Sequence, residues 1–331
     1  MNISDCEVTV VATAGSWLLF VVAFVLAISN GSASLTQIAD YETLRTILVD
    51  IRLPRVVVGA LCGGALAAAG VLSQGLFRNS LASPSILGTS AGGATAATIV
   101  FYMGWHTHSL LALPLAAFLG ALGATLLILW LCSRPEGRTL EHVLLAGFTL
   151  NALLGALTSL VISLTLEDFQ RAPAIISWLM GSLSGRGWDH VAVATLPLAV
   201  GWVLAARLAR PLDLICFGEE VAASLSLDVA RFKFIVIAVM ALLVGVAVSV
   251  AGALPFVGLI VPHLTRFIAG PHHGRLLRLS TLNGASLVLL ADLAARTIRA
   301  PQELEVGILI TLIGAPFFAY LLVRHARSQA T

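Results

Sequence analysis

Residues 79–133 read NSLASPSILGTSAGGATAATIVFYMGWHTHSLLALPLAAFLGALGATLLILWLCS, 55 positions without one Asp, Glu, Lys or Arg. A helix that crosses the hydrocarbon core of a bilayer needs about 20 apolar residues at a rise of about 1.5 Å each. The stretch therefore predicts two crossings joined by a turn, with Pro114 and the polar Trp105-His-Thr-His108 run near that turn. The whole chain has the same character: 331 residues, 58% hydrophobic and 11% charged, with a mean hydropathy of +0.97. A soluble domain carries about 25% charged residues. A globule this apolar would have too little polar surface to meet water, which argues against a soluble enzyme, a disordered chain, a nucleic-acid binder or a disulfide scaffold. The 29 glycines suit closely packed membrane helices.

Working outward, Val8–Ser29 is 22 residues without a formal charge. Its length and the acidic flank Asp5 and Glu7 mark a retained first helix, not a cleaved leader. Val56–Leu76, Val143–Leu166, Val191–Ala206, Leu276–Ala295 and Val306–Val323 each predict one crossing. Phe234–Thr265, 32 uncharged residues, exceeds one crossing and falls short of two. Gly252, Pro255 and Pro262 predict its bending into one long and one shorter helix. Ala172–Ser184 is apolar but too short to cross, and reads as lying in the interface. The sum is nine or ten crossings, with ten preferred. The expected fold class is all-α: a polytopic integral membrane protein with one transmembrane domain over residues 1–331.

With ten helices and the N-terminus inside, the inner loops and helix ends hold Arg78, Arg134, Arg138, Arg207, Arg210, Arg231, Lys233, Arg266, Arg275, Arg278, Arg324 and Arg327. The outer side holds Arg45, Arg52, Arg55, Arg171, Arg186, Arg296 and Arg299, giving 12 against 7. The acidic leading flank argues weakly the other way. The later loops decide, and both termini are expected in the cytoplasm.

A phosphate-binding loop would need a glycine run before its Lys. The single Lys, in Arg231-Phe-Lys-Phe234, has none, so this chain cannot hydrolyse ATP by that route. Energy must come from another subunit or from an ion gradient. Asp292 precedes Arg296 by four positions, so the two share a helix face and can pair. Their place near a helix end fits a structural pair better than a mid-membrane proton relay. Cys6, Cys62, Cys132 and Cys216 are isolated and read as small hydrophobes. His106, His108 and His263 lack ligand spacing, and Pro271-His-His-Gly274 reads as a hydrated turn, so no metal site is assigned.

Four segments carry a resemblance. The first is Arg52-Leu-Pro-Arg55. The second is Gly70-Val-Leu-Ser-Gln-Gly-Leu-Phe-Arg-Asn79, running through Leu81-Ala-Ser-Pro84 to Leu87-Gly-Thr-Ser-Ala-Gly-Gly93. The third is Gly218-Glu-Glu-Val-Ala-Ala-Ser-Leu225. The fourth is Phe256-Val-Gly-Leu-Ile-Val-Pro-His263 with Arg266, Ala291-Asp292, Ala295-Arg296, and Gly307 through Gly314-Ala-Pro316. In this order they closely resemble the permease family of ATP-driven importers for iron–siderophore complexes, haem and vitamin B12, over residues 51–324. Two positions depart from the pattern: Ser80 stands where Pro usually follows Asn, and Ser226 where a Gly commonly follows the Leu.

The resemblance implies a non-enzymatic transport subunit with ten crossings in a bacterial inner membrane. It implies a homodimer or paralogous heterodimer, two cytoplasmic ATPase subunits that hold ATP and Mg, and a periplasmic or lipid-tethered substrate-binding protein. This chain would bind lipid, no nucleic acid and no cofactor of its own. Ferric siderophores are the preferred cargo because most of the family carries them. The alternative is an ion-gradient-driven secondary transporter of a small organic solute.

By the same resemblance, Arg52, Arg55 and Arg296 form an outer dock for carboxylates of the binding protein, since Arg pairs with carboxylate bidentately. Interfacial snorkelling is the plainer reading. Gly218, Glu219, Glu220, Val221, Ala222 and Leu225 form a short coupling helix lodged in an ATPase cleft. Its acidic first turn suits the helix dipole, and Val221, Ala222 and Leu225 are expected to share a face. Asn79, Ser83 and Pro84 form an inner turn that touches the ATPase. Gly59, Gly63, Gly64 and Gly70 read as helix packing.

Overall fold

The computed structural model describes residues 3–31, 40–109, 111–131, 140–168 and 171–330. Cys132, Arg134 and Arg138 lie outside them, and so do the side chains of Cys6, Arg324 and Arg327. The elements are α1 (Ile3–Ser29), α2 (Tyr41–Arg45), α3 (Leu53–Leu76), α4 (Thr89–Met103), α5 (Ala112–Leu131), α6 (Leu140–Thr165) and α7 (Arg171–Leu179). They continue with α8 (Trp188–Cys216), α9 (Glu219–Ser224), α10 (Val229–Ala251), α11 (Val257–Ala269), α12 (His273–Thr297) and α13 (Val306–Ala330). No strand occurs among the described residues. Among the described residues seven helices are long and apolar enough to cross a membrane; the shorter apolar helices α11 and α13, with α4, bring the bundle to ten.

Helix α3 is the hub. Of its most apolar window 83% is buried, against 11% for that of α6. The cause is the small-residue run. A Cβ added at Gly63 would fall inside the Gly284 carbonyl oxygen of α12, and one at Gly70 inside the Gly258 carbonyl of α11. Only hydrogen in place of a side chain lets these backbones meet.

The Gly258 carbonyl is available for a reason readable from the chain. Its helical donor would be the N–H of residue 262, which is Pro262 and has none. The run divides into one long and one shorter helix, as the sequence indicated, and the break is not at Pro262. Pro262 lies inside α11 and frees one carbonyl toward α3. The break falls at Gly252–Phe256, where Gly252 (φ +71°) and Phe256 (φ +65°) both take left-handed backbone.

Two other elements run longer than the sequence implied. A π-helical turn, Thr46–Arg52, joins α2 to α3, so the helix starts at Tyr41 and not near Val56. Pro54 donates no hydrogen bond and its ring needs room, which a widened turn upstream supplies. Helix α8 continues through Arg207, Arg210 and Pro211 to Cys216, where a polar inner loop was expected. The α7 helix is short, with Ala172, Ile175 and Trp178 buried, consistent with a segment that does not cross.

Side-chain contacts fix the two ends of the bundle. The starts of α3 and the ends of α1 and α12 meet at one end through Arg52 and Arg296. The ends of α3 and α8 meet the start of α12 at the other, where His273 bonds Asp213 beside Gly75.

Candidate functional site

The arginine end is a network of buried, paired charges. Asp292 is fully buried and lies between two guanidinium groups. Arg55 donates to Asp292 Oδ1 from Nε at 3.0 Å and from Nη2 at 2.8 Å. Arg296 Nε faces Asp292 Oδ2 at 3.0 Å, the four-residue pair that the sequence anticipated. The third nitrogen of Arg55, Nη1, donates to Glu303 Oε2 at 2.7 Å.

The remaining arms hold α1. The last four carbonyls of a helix have no partner within it and carry the negative end of its dipole. Arg52 Nη1 donates to the carbonyls of Ile28 and Ser29 at 2.9 and 3.0 Å. Arg296 Nη2 and Nη1 donate to those of Ala27 and Asn30 at 2.9 and 3.3 Å. So Arg52, Arg55 and Arg296 come together as the sequence reading grouped them, but they are buried, not displayed at the rim. A guanidinium placed here must be neutralised within the chain, and the structure supplies Asp292, Glu303 and the α1 carbonyls.

At the opposite end α9 projects as a single turn and a half. A six-residue helix is not stable alone. Its closure uses Ser226 N–H to the Ala223 carbonyl and Leu227 N–H to the Ala222 carbonyl, with Ser226 at φ +67°. That is the left-handed position which glycine favours, and it explains why a Ser there departs from the pattern. Lys233 Nζ binds Glu219 Oε1 at 2.7 Å and ties α9 to α10. Ala222 is fully buried against the bundle, so it does not share an outward face with Val221 and Leu225. Successive helical residues differ by about 100°, and Ala222 takes the inward direction. Val221 and Leu225, with Phe217 just before the helix, present the exposed apolar surface.

The inner turn is divided in the same way. Arg78 and Asn79 are exposed; Arg78 stands at φ +49°, with its N–H on the Gly75 carbonyl and that of Asn79 on the Gln74 carbonyl. Asn79 Oδ1 accepts from Leu81 N–H at 2.9 Å. Ser83 and Pro84 turn back into the bundle: Pro84 is buried beside Gly258, and Ser83 caps a tight turn at Pro84–Leu87. A partner at this surface would meet Asn79, not Pro84. Behind the turn lies a cavity of about 220 Å³ whose lining includes Ser83, Ser85 and Ser90 together with Leu66, Pro255 and Phe256.

Sequence reading missed three residues here. His273, expected in a hydrated turn, is buried: Asp213 Oδ1 accepts both its Nδ1–H at 2.6 Å and its backbone N–H at 3.0 Å. Gln74 donates to the Leu259 carbonyl at 3.1 Å and accepts from Arg266 at 3.2 Å, linking α3 to α11 twice. Glu303 follows an exposed Pro-Gln pair and carried no signal. His263 packs edge-on against Phe267. Among the described residues no three His, Cys, Asp or Glu side chains gather as a metal site would need.

A model of the FecCD transport family matches residues 12–324. The hemin transport system permease protein HmuU of Yersinia pestis is 37% identical over 307 residues, covering 92% of this chain and 91% of that protein. The Fe(3+) dicitrate transport system permease protein FecD of Escherichia coli (strain K12) is 38% identical over 279 residues, 84% of this chain and 85% of that one. A solved inward-facing structure described as a metal-chelate type ABC transporter superposes with a TM-score of 0.84 at 31% identity, over 94% of this chain and 98% of that one.

Proposed function

The chain belongs to the FecCD transport family and is the permease subunit of a binding-protein-dependent ABC importer, and from that premise we propose how it is powered, loaded and assembled. Its cargo is a ferric siderophore or a closely related iron chelate. Relatives named for hemin, ferric dicitrate and iron(3+)-hydroxamate support that class. Two copies, or one copy and a paralogue, enclose the pathway in a bacterial inner membrane with both termini in the cytoplasm. The exposed apolar residues of α6, among them Leu153 and Leu160 on one side, suit that enclosure. Two cytoplasmic ATPase subunits supply the energy, with ATP and Mg bound there.

The observation that carries the proposal is α9. It is a short helix with Val221 and Leu225 outward, Ala222 rooted in the bundle and Glu219 strapped to α10. Such a rooted knob passes a push to α8 and α10 without bending. The arginine end serves the binding protein, and the inner turn at Asn79 adds to the ATPase contact.

The test is reconstitution of the chain with its ATPase and binding protein in liposomes, with iron-55 chelate outside and ATP inside. Uptake that needs ATP, and that Leu225→Glu abolishes along with stimulated ATP hydrolysis, is the expected result. Uphill accumulation by this chain alone under a proton or sodium gradient would overturn it and favour the gradient-driven carrier, for which family membership gives no support.

A further inference from the structure

We infer that Glu303 is an internal stand-in for a partner's carboxylate: it occupies Arg55 Nη1 in the free chain and is displaced when the binding protein docks. This rests on the reading of the arginine end as the docking face. The two carboxylates on Arg55 are not equivalent. Asp292 holds Nε and Nη2 from below and is 0% exposed. Glu303 holds Nη1 from the surface side, where its side chain is 25% exposed against 9% for Arg55. An incoming group therefore meets Glu303 first, and reaches Arg55 only by replacing it.

The exchange is cheap for a carboxylate and costly for anything else. One charge-assisted pair of near-ideal length is traded for another, and the released Glu303 is already part-way into water. A neutral or basic surface offers Arg55 Nη1 no replacement for Glu303 and leaves that pair in place, so the same geometry gives such partners no charged contact. The backbone around Glu303 allows the move. It sits in the linker between α12 and α13, where Pro301 and Gln302 are exposed, while the next residue is anchored by Leu304 N–H on the Ala295 carbonyl at 3.0 Å.

The linker also places the exchange beside a joint. Glu305 accepts a hydrogen bond from Ser177 of α7, and Gly307 N–H donates to the Gly181 carbonyl at 3.2 Å. Docking at Arg55 thereby acts two residues from the contact that ties α13 to the α7 end.

The probe is the solute-binding protein that co-purifies with the assembled transporter, produced separately and measured on the complex in nanodiscs. Glu303→Gln removes the competitor and is expected to raise affinity roughly tenfold. Glu303→Asp, shorter by one methylene, is expected to give a smaller gain, and it serves where the Gln variant folds poorly. Simple repulsion between Glu303 and an acidic partner would also weaken binding. That repulsion is screened at about 0.5 M salt, where the Debye length is about 4 Å, and Asp50→Asn at the same end would mimic its relief. The competitor model requires a gain that survives high salt and exceeds the Asp50→Asn gain. Unchanged affinity in Glu303→Gln, or a gain lost in salt, overturns the inference while Arg55→Lys still weakens docking. If Arg55→Lys leaves affinity and salt slope at wild type, the docking reading itself fails.

Discussion

At the arginine end, Asp292 is wedged between Arg55 and Arg296, and Arg52 and Arg296 grip the last carbonyls of α1. At the opposite end, α9 stands on one buried alanine and a Lys233–Glu219 pair whose side chains are 37% and 47% exposed. Both ends are proposed partner contacts, yet one is locked by buried charge and the other rests on a small apolar foot. A buried ion pair holds because breaking it strands a charge. An exposed pair contributes about 0–1 kcal/mol. Removing a group should therefore damage the first end through the fold and the second end only through its partner.

The sharpest break would come from Asp292→Asn, which leaves Arg55 and Arg296 facing a neutral group. A loss of about 3–5 kcal/mol is expected, read by denaturant unfolding in mixed micelles. A loss below about 1 kcal/mol would mean that the two guanidinium groups do not depend on Asp292 for their charge pairing. Next is Arg52→Gln, which removes charged donors from the α1 carbonyls and should cost about 1.5–3 kcal/mol, with proteolysis at the end of α1 as a second readout. At the opposite end the sign reverses. Ser226→Gly relieves a left-handed residue and should stabilise by about 1 kcal/mol; a destabilisation would show that Ser226 does more than close the turn. Smallest in stability is Leu225→Glu, expected within about 0.5 kcal/mol of wild type because the side chain is exposed. Its effect belongs to coupled ATP hydrolysis, and an unfolded variant would erase the contrast between the ends.

The sequence made much of this legible. Long uncharged runs gave the helices because hydrocarbon admits little else, and the glycines of α3 gave its crossings. What stayed hidden is instructive. The Asp292–Arg296 pair is four residues long and was visible; the Arg55–Asp292 pair joins positions 237 apart and was not. The three arginines do lie together, yet their burial depends on Glu303 and on the end of α1, and neither has a local pattern. His273 looked like a loop histidine because its partner, Asp213, is 60 residues away in a helix that was expected to have ended. The oxygen that Pro262 orphans could be counted from the sequence; that it faces α3 could not.

That orphaned oxygen has a mechanical corollary. Where Gly258 of α11 rests on Gly70 of α3, there are no side chains to interlock as ridges and grooves. The two rods are instead pinned there, because Gln74, four residues after Gly70, donates to the carbonyl of Leu259, the neighbour of Gly258. Bulk introduced at Gly70 or Gly258 would prise the rods apart and draw out that pin.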